Sequence, residues 1–262
     1  MTAIKVISMS NAADLGYRAL ADVAAAASGV DPNDYRIVGG HMVQLLIHVY
    51  PTPNATERST ADADAGIQRA LAAGQGLHEK LLERGYQPDA GNHYIRQNEA
   101  GERIEVDLLI PHGTVGEPVV VNGRGFDAIP GLGFALNAPP LRVDATVLLY
   151  GGDDLSFTVP VPDVEAALIL KALAWQSRTA EKDLTDISSL LEILQRHKTE
   201  LSSWGYDDVR RATTGQCKDA ALALHRIADL AARGKILPAK ARASPARLAA
   251  LIKEHIPAPP AR

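Results

Sequence analysis

In the run Arg58-Ser59-Thr60-Ala61-Asp62-Ala63-Asp64, two carboxylates stand one residue apart. On an extended strand that spacing puts both on one face of a sheet. Ala61, Ala63 and Ala65 add no bulk beside them, and no Lys or Arg separates Asp62 from Asp64. Like charges held that close repel, so either one acid takes up a proton or a cation sits between them. A hard divalent ion meets the need, because carboxylate oxygens suit Mg²⁺ and Mg²⁺ also binds substrate phosphates. A solvated Asp-Ala-Asp turn is the alternative reading of the pair taken alone.

A third acid, Asp107, lies between Val106 and Leu108 in the apolar run Arg103 to Ile110, with Glu105 two positions earlier on the same face. An acid in such a strand calls for a partner or a metal. Upstream, Gly39-Gly40 follows the short strand Tyr35 to Val38 and opens the helical pattern His41 to Tyr50. Glycines let the backbone approach a polyphosphate, and a helix N-terminus offers its free N–H groups. Three acids with a glycine turn opening a helix are what phosphoryl or nucleotidyl transfer requires: acids around metal ions steady the attacking and leaving oxygens, and the third acid can accept a proton.

The elements that must hold these residues follow from periodicity. Asn11 to Ser28 and Ile67 to Arg84 read as helices closed by Gly29 and Gly85. His93 to Gln97 and Arg103 to Ile110 read as a hairpin, as do Arg142 to Tyr150 and Leu155 to Val159. Gly113 to Pro140 reads as an irregular connection with a short strand at Pro118 to Val121. Beyond Pro160-Val161-Pro162 the pattern is entirely helical: Asp163 to Arg178, Lys182 to Gln195, Tyr206 to Thr213, Lys218 to Arg233 and Pro245 to Ile256. The expected fold class is α+β, a mixed sheet flanked by helices followed by a C-terminal helical bundle. The expected domains are 1–160 and 161–256, with a disordered Pro-rich tail at 257–262.

Composition narrows the classes. At 262 residues the chain has room for one large or two modest domains. The single cysteine, Cys217, excludes an intramolecular disulfide and a cysteine-based zinc site. No apolar run reaches membrane-span length, and Met1 to Ser10 lacks a secretory pattern, so a cytoplasmic location is expected. A net charge of −4 is too mild to mark a basic nucleic-acid binder. The C-terminal Arg233, Lys235, Lys240, Arg242, Arg247 and Lys253 face only Glu254. They read either as a solvated helix and tail or as contacts to RNA phosphates.

Gly39-Gly40, then Arg58-x-Thr60-x-Asp62-x-Asp64, then Asp107 in an apolar strand, resembles the signature of the DNA polymerase β-type nucleotidyltransferase superfamily. Within it the chain resembles the AbiEii/MenT group, the nucleotidyltransferase toxins of bacterial toxin–antitoxin pairs. That group also carries a Lys on one C-terminal helix and an Arg…Lys-Asp-x-x-Asp stretch on the next; here these are Lys171, Arg178 and Lys182-Asp183-Leu184-Thr185-Asp186. The ordered motifs span roughly residues 35 to 195. The resemblance implies Asp62, Asp64 and Asp107 as ligands of Mg²⁺ or Mn²⁺, with Asp107 also a possible base. It implies Gly39 and Gly40 as the phosphate-contacting turn, Lys171 as the cation neutralising the triphosphate of an NTP, and Asp183 as a positioning acid. The acceptor it implies is the 3′ end of tRNA, with a cognate antitoxin as partner and no membrane.

The chain departs from the family at His41, where the family usually has Ser or Thr; an imidazole there is expected to donate to a phosphate. Arg58 and Thr60 either brace the strand or reach the γ-phosphate. Lys171, among Leu168, Ile169, Leu170 and Leu173, either snorkels outward or faces an anion in a cleft. Asp183 and Asp186, at i, i+3, share one helical face. His48, His93, His197, His225 and His255 show no metal-ligand spacing and read as surface or packing residues. Two other readings stand beside the tRNA-directed toxin. One is a nucleotidyltransferase acting on a small-molecule drug or a protein side chain, the other a non-catalytic nucleotide-binding protein on the same scaffold.

Overall fold

The computed structural model describes residues 1–112, 119–201, 204–236 and 240–259. Gly113 to Pro118 of the irregular connection and residues 260–262 of the tail lie outside the described residues. The chain divides into two compact units, Met1–Val49 with Arg58–Asp163, and Tyr50–Glu57 with Val164–Arg262. The expected α+β class holds: mixed sheets with helices make up the first unit, and the C-terminal region is helical.

The first unit runs β1 (Thr2–Ile7), α1 (Asn11–Ala26), β2 (Tyr35–Ile37), α2 (Gly39–Val49), β3 (Asp62–Ile67), α3 (Arg69–Ala73), α4 (Gly76–Glu83), β4 (Gln87–Ala90), β5 (His93–Gln97), β6 (Arg103–Pro111), β7 (Val119–Val121), β8 (Arg124–Phe126), β9 (Ala128–Ile129), α5 (Leu132–Asn137), β10 (Leu141–Leu148) and β11 (Asp154–Val161). The larger sheet has the order β2-β3-β6-β5-β4, with β3 and β6 parallel and the other neighbours antiparallel. Alternation decides its two faces. Ala63 and Ala65 of β3 and Ile104, Val106 and Leu108 of β6 are buried, while Asp62, Asp64, Glu105 and Asp107 on the alternate positions are half-buried. Helix α1 lies against β3 and β6. Its Ala13, Gly16, Tyr17, Leu20 and Val23 form the buried stripe that 3.6-residue periodicity produces, and Ser10 caps its start by accepting from the Ala13 N–H.

Several local outcomes differ from the sequence reading, and the connection expected to be irregular beyond its short strand also carries β8, β9 and the helix α5. The expected helix over Ile67 to Arg84 is broken: Ile67 pairs with Tyr35 in the sheet, and Gln75, between Gly74 and Gly76, adopts φ 56° and separates α3 from α4. Glycine on both sides weakens the helix at that point. The expected helix over Tyr206 to Thr213 is two short 3₁₀ turns, Gly205–Asp207 and Val209–Thr213, because the Asp208 side chain caps the Arg210 N–H and restarts the chain. Strands β1 and β4 were not legible. β1 pairs in parallel with β10, far along the chain, and Gln87-Pro88-Asp89-Ala90 has the composition of a turn but forms an edge strand, where Pro is tolerated.

The second unit holds α6 (Val164–Arg178), α7 (Glu181–His197), the two 3₁₀ turns, α8 (Gly215–Ala232) and α9 (Pro245–His255). α6 is buried around most of its circumference, from Val164 to Leu173, the mark of a central core helix. The Tyr50–Glu57 loop joins this unit through backbone bonds: the Thr56 N–H donates to Ser189 Oγ, and Arg242 Nη1 donates to the Pro53 carbonyl. Within the basic C-terminal stretch Arg242 is thus occupied, and Arg247 pairs with the buried Glu192 at 2.9 Å. Among the described residues no helix is long and apolar enough to cross a membrane.

Candidate active site

The parallel pairing of β3 with β6 sets Asp64 beside Asp107 and Asp62 beside Glu105. Since all four occupy alternate positions, they share one face. Asp62, Asp64 and Asp107 each offer a carboxylate oxygen, and these three oxygens lie within 4.8 Å of one another. All three acids are half-buried. An oxygen-only donor set at this spacing matches what a hard divalent cation takes.

Each acid is held by a different device. Thr60 Oγ1 donates to Asp62 Oδ1 at 2.8 Å. Asp64 rests against the first turn of α2: a Cβ on Gly39 would come within 1.8 Å of Asp64 Oδ2, and Gly39 also adopts φ +65°. Only glycine satisfies both conditions. The Val38 N–H bonds the Asp64 carbonyl at 2.9 Å, which fixes the start of α2 beside β3. Asp107 Oδ1 is 2.8 Å from His93 Nδ1 across the β5–β6 pair. Burial pushes the Asp107 carboxyl above the ordinary range, the His93 hydrogen bond pulls it down, and the neighbouring Asp62 and Asp127 charges push it up again, for a net rise.

Arg58 and His41 frame the N-terminus of α2 in opposite ways. A Cβ on Gly40 would meet Arg58 Nη2 at 2.7 Å and Cζ at 3.1 Å, so the guanidinium lies against the helix's first turn. The His41 ring turns inward instead. It is 1% exposed, stacks tilted on Tyr17 at 5.5 Å, and occupies the space that a side chain at Gly16 would fill. Burial lowers its pKa to about 4, against weaker opposing influence from Asp62, so the imidazole is neutral near pH 7. Gln44 is the polar side chain beside the ring, and its influence is weaker than that of burial.

Lys171 and Asp183 are brought together in the second unit. Lys171 Nζ lies 2.7 Å from Asp186 Oδ2 and 3.8 Å from Asp183 Oδ1, and Arg178 grips Asp183 with two bonds of 2.7 and 2.6 Å. The i, i+3 spacing puts both acids on the face of α7 that meets α6. Lys171, at 5% side-chain exposure, is buried and does not snorkel.

Two relations on the acid face escaped the sequence reading: His93 as a partner of Asp107, and Glu105, already expected on the face of Asp107, as the neighbour of Asp62. The first had a signal. The loop joining β5 to β6 pairs Gln97 with Arg103, and counting four residues back along each strand brings His93 opposite Asp107. The second depends on the parallel pairing of β3 with β6, which no local pattern reveals.

No protein-family model matches the chain, and no curated protein matches it either. Among solved structures, the chain is similar to the solution structure of the antibiotic-resistance factor ANT(2'')-Ia, at 13% sequence identity and a TM-score of 0.38, covering 83% of this chain and 96% of that one.

Proposed function

We propose that the chain is a metal-dependent nucleotidyltransferase, moving an NMP unit from an NTP to a hydroxyl acceptor with release of pyrophosphate. The observation that carries this reading is the convergence of Asp62, Asp64 and Asp107, with an oxygen from each within 4.8 Å of the others. A divalent ion bound there supplies positive charge to the polyphosphate and to the oxygens that gain charge during the displacement. The chain's own residues do the positioning. Thr60 orients Asp62, Gly39 lets Asp64 reach the helix start, and Asp107 is the acid available to take the acceptor's proton. The first N–H groups of α2 and the Arg58 guanidinium receive phosphate oxygens. With the His41 ring turned inward, contact at that residue falls to its backbone N–H. Lys171 and Asp183 enter the reading through the family resemblance, as the triphosphate cation and a positioning acid.

Through the same resemblance, the acceptor we propose is the 3′ end of tRNA, with a cognate antitoxin as partner. A second reading, a cationic small-molecule acceptor of the aminoglycoside type, is favoured by the acids gathered on this face, Asp62, Asp64 and Asp107, with Glu105 beside Asp62 in part offset by Arg103 at 3.1 Å. An acid-rich approach attracts a polycation and repels RNA phosphates. The test is incubation with each labelled NTP and Mg²⁺, in parallel with total RNA and with an aminoglycoside mixture. Label is expected in one acceptor with the wild type and in neither with Asp62→Ala. Absence of label in both proteins, or equal labelling by both, overturns the reading.

A further inference from the structure

We infer that His93 is a positioning residue that decides which acids of the sheet face belong to the metal cluster, holding Asp107 in it and keeping Glu105 out. The inference rests on the nucleotidyltransferase reading and extends it to a residue that reading does not use. Glu105 and Asp107 lie two apart on β6 and share a face, and His93 sits on β5 directly opposite Asp107. Its two ring nitrogens face different acids. Nδ1 is 2.8 Å from Asp107 Oδ1, whereas Nε2 is 3.8 Å from Glu105 Oε2. An ionised carboxylate only accepts, so the Nδ1 position carries the proton and donates it to Asp107. That bond engages one Asp107 oxygen and leaves the other to a cation. The imidazole thus meets both acids, its near contact going to Asp107, while Glu105 has its own closer partner in Arg103, at 3.1 Å through the other carboxylate oxygen. His93 and Asp107 side chains are 23% and 26% exposed, so the imidazole is not there to fill the core.

Groups that orient metal-binding carboxylates typically change metal affinity about 10–100-fold when removed. The test is Mn²⁺ binding to the full chain without nucleotide, followed by electron paramagnetic resonance, with thermal melting of each metal-free protein. Asn carries its amide donor at the place of Nδ1, whereas Gln carries it farther out, near Nε2. His93→Asn is therefore expected to bind Mn²⁺ within about 3-fold of wild type, and His93→Gln and His93→Ala about 10–100-fold more weakly, with metal-free melting unchanged. Wild-type affinity in His93→Gln overturns the inference, as does an equal loss in His93→Asn and His93→Gln. The underlying reading fails in a different way. If wild type and Asp62→Asn bind Mn²⁺ equally weakly, the acid cluster is not a metal site and the role given to His93 falls with it.

Discussion

Asp62, Asp64 and Asp107 are half-buried and turn carboxylate oxygens toward one another within 4.8 Å, while Asp183 and Asp186 are buried at 0% and 1% and turn theirs toward Arg178 and Lys171 at 2.6 and 2.7 Å. The same residue type thus plays two parts. Opposite charges brought together inside a helical core offset much of one another's desolvation, and taking one partner away leaves the other buried and unpaired. Like charges brought together on a sheet face are a standing cost, and folding maintains it through Thr60, Gly39 and His93. Backbone strain and electrostatic conflict concentrate where a protein binds or reacts. The acid face is thus left with like charges uncompensated by its own members, whereas the helical network, which holds the Lys171 and Asp183 of the proposed reaction, is balanced within itself.

Asp62→Asn keeps the shape, removes one charge and is expected to lower the NMP-transfer rate on the order of 10⁴-fold, about 5 kcal/mol of barrier. Without metal, the melting temperature should stay level or rise, because a like-charge contact is relieved. A drop in melting temperature together with unchanged turnover would place Asp62 with the structural acids.

Lys171→Met tests the other side. Removing one partner of a buried pair is expected to cost about 3–5 kcal/mol, read by urea unfolding, while Lys171→Met with Asp186→Leu should recover most of that loss. If the single variant unfolds like wild type and yet abolishes transfer, Lys171 serves the triphosphate and the helical network owes it no stability.

How much of this was visible in the chain depends on the distance over which each feature is encoded. Asp62 and Asp64 declare their shared face because strand alternation is local, and the β5–β6 hairpin is legible because its turn is. The fit of Gly39 to Asp64 is a contact between the start of α2 and the middle of β3, so the glycine is legible in the chain and its reason is not. The inward turn of His41 depends on Gly16, a helix away, whose missing side chain opens the slot. Burial of Lys171 was equally hidden: its leucine neighbours fit a helix with one wet edge, and only the packing of α6 against α7 and α8 closes that edge.

His41 adds a third way for a polar group to live in this protein, buried and uncharged. Its folded pKa, about 4, lies below the ordinary value of 6.5. The unfolded chain takes up a proton near pH 6.5 that the folded protein refuses, so this contribution is complete above that pH and is lost as pH falls toward about 4. The difference corresponds to about 3 kcal/mol. Urea unfolding of wild type and His41→Leu between pH 7.5 and 4 should show the steeper fall in the wild type. Parallel curves would mean that the imidazole is not buried neutral.

Thr60→Val preserves shape and removes the hydroxyl that donates to Asp62 at 2.8 Å. Hydrogen bonds to charged groups contribute about 1.5–3 kcal/mol net, and the partial exposure of both residues puts this one at the low end or just below it. If Thr60 serves to aim a ligating carboxylate, the loss should fall on kcat, about 5–10-fold, with stability lowered by less than about 1 kcal/mol. Mn²⁺ affinity should weaken in step with kcat, because both depend on where one Asp62 oxygen points. If stability falls and kcat and Mn²⁺ affinity hold, Thr60 braces the strand alone, and the acid face would owe its arrangement to the sheet register and to Gly39.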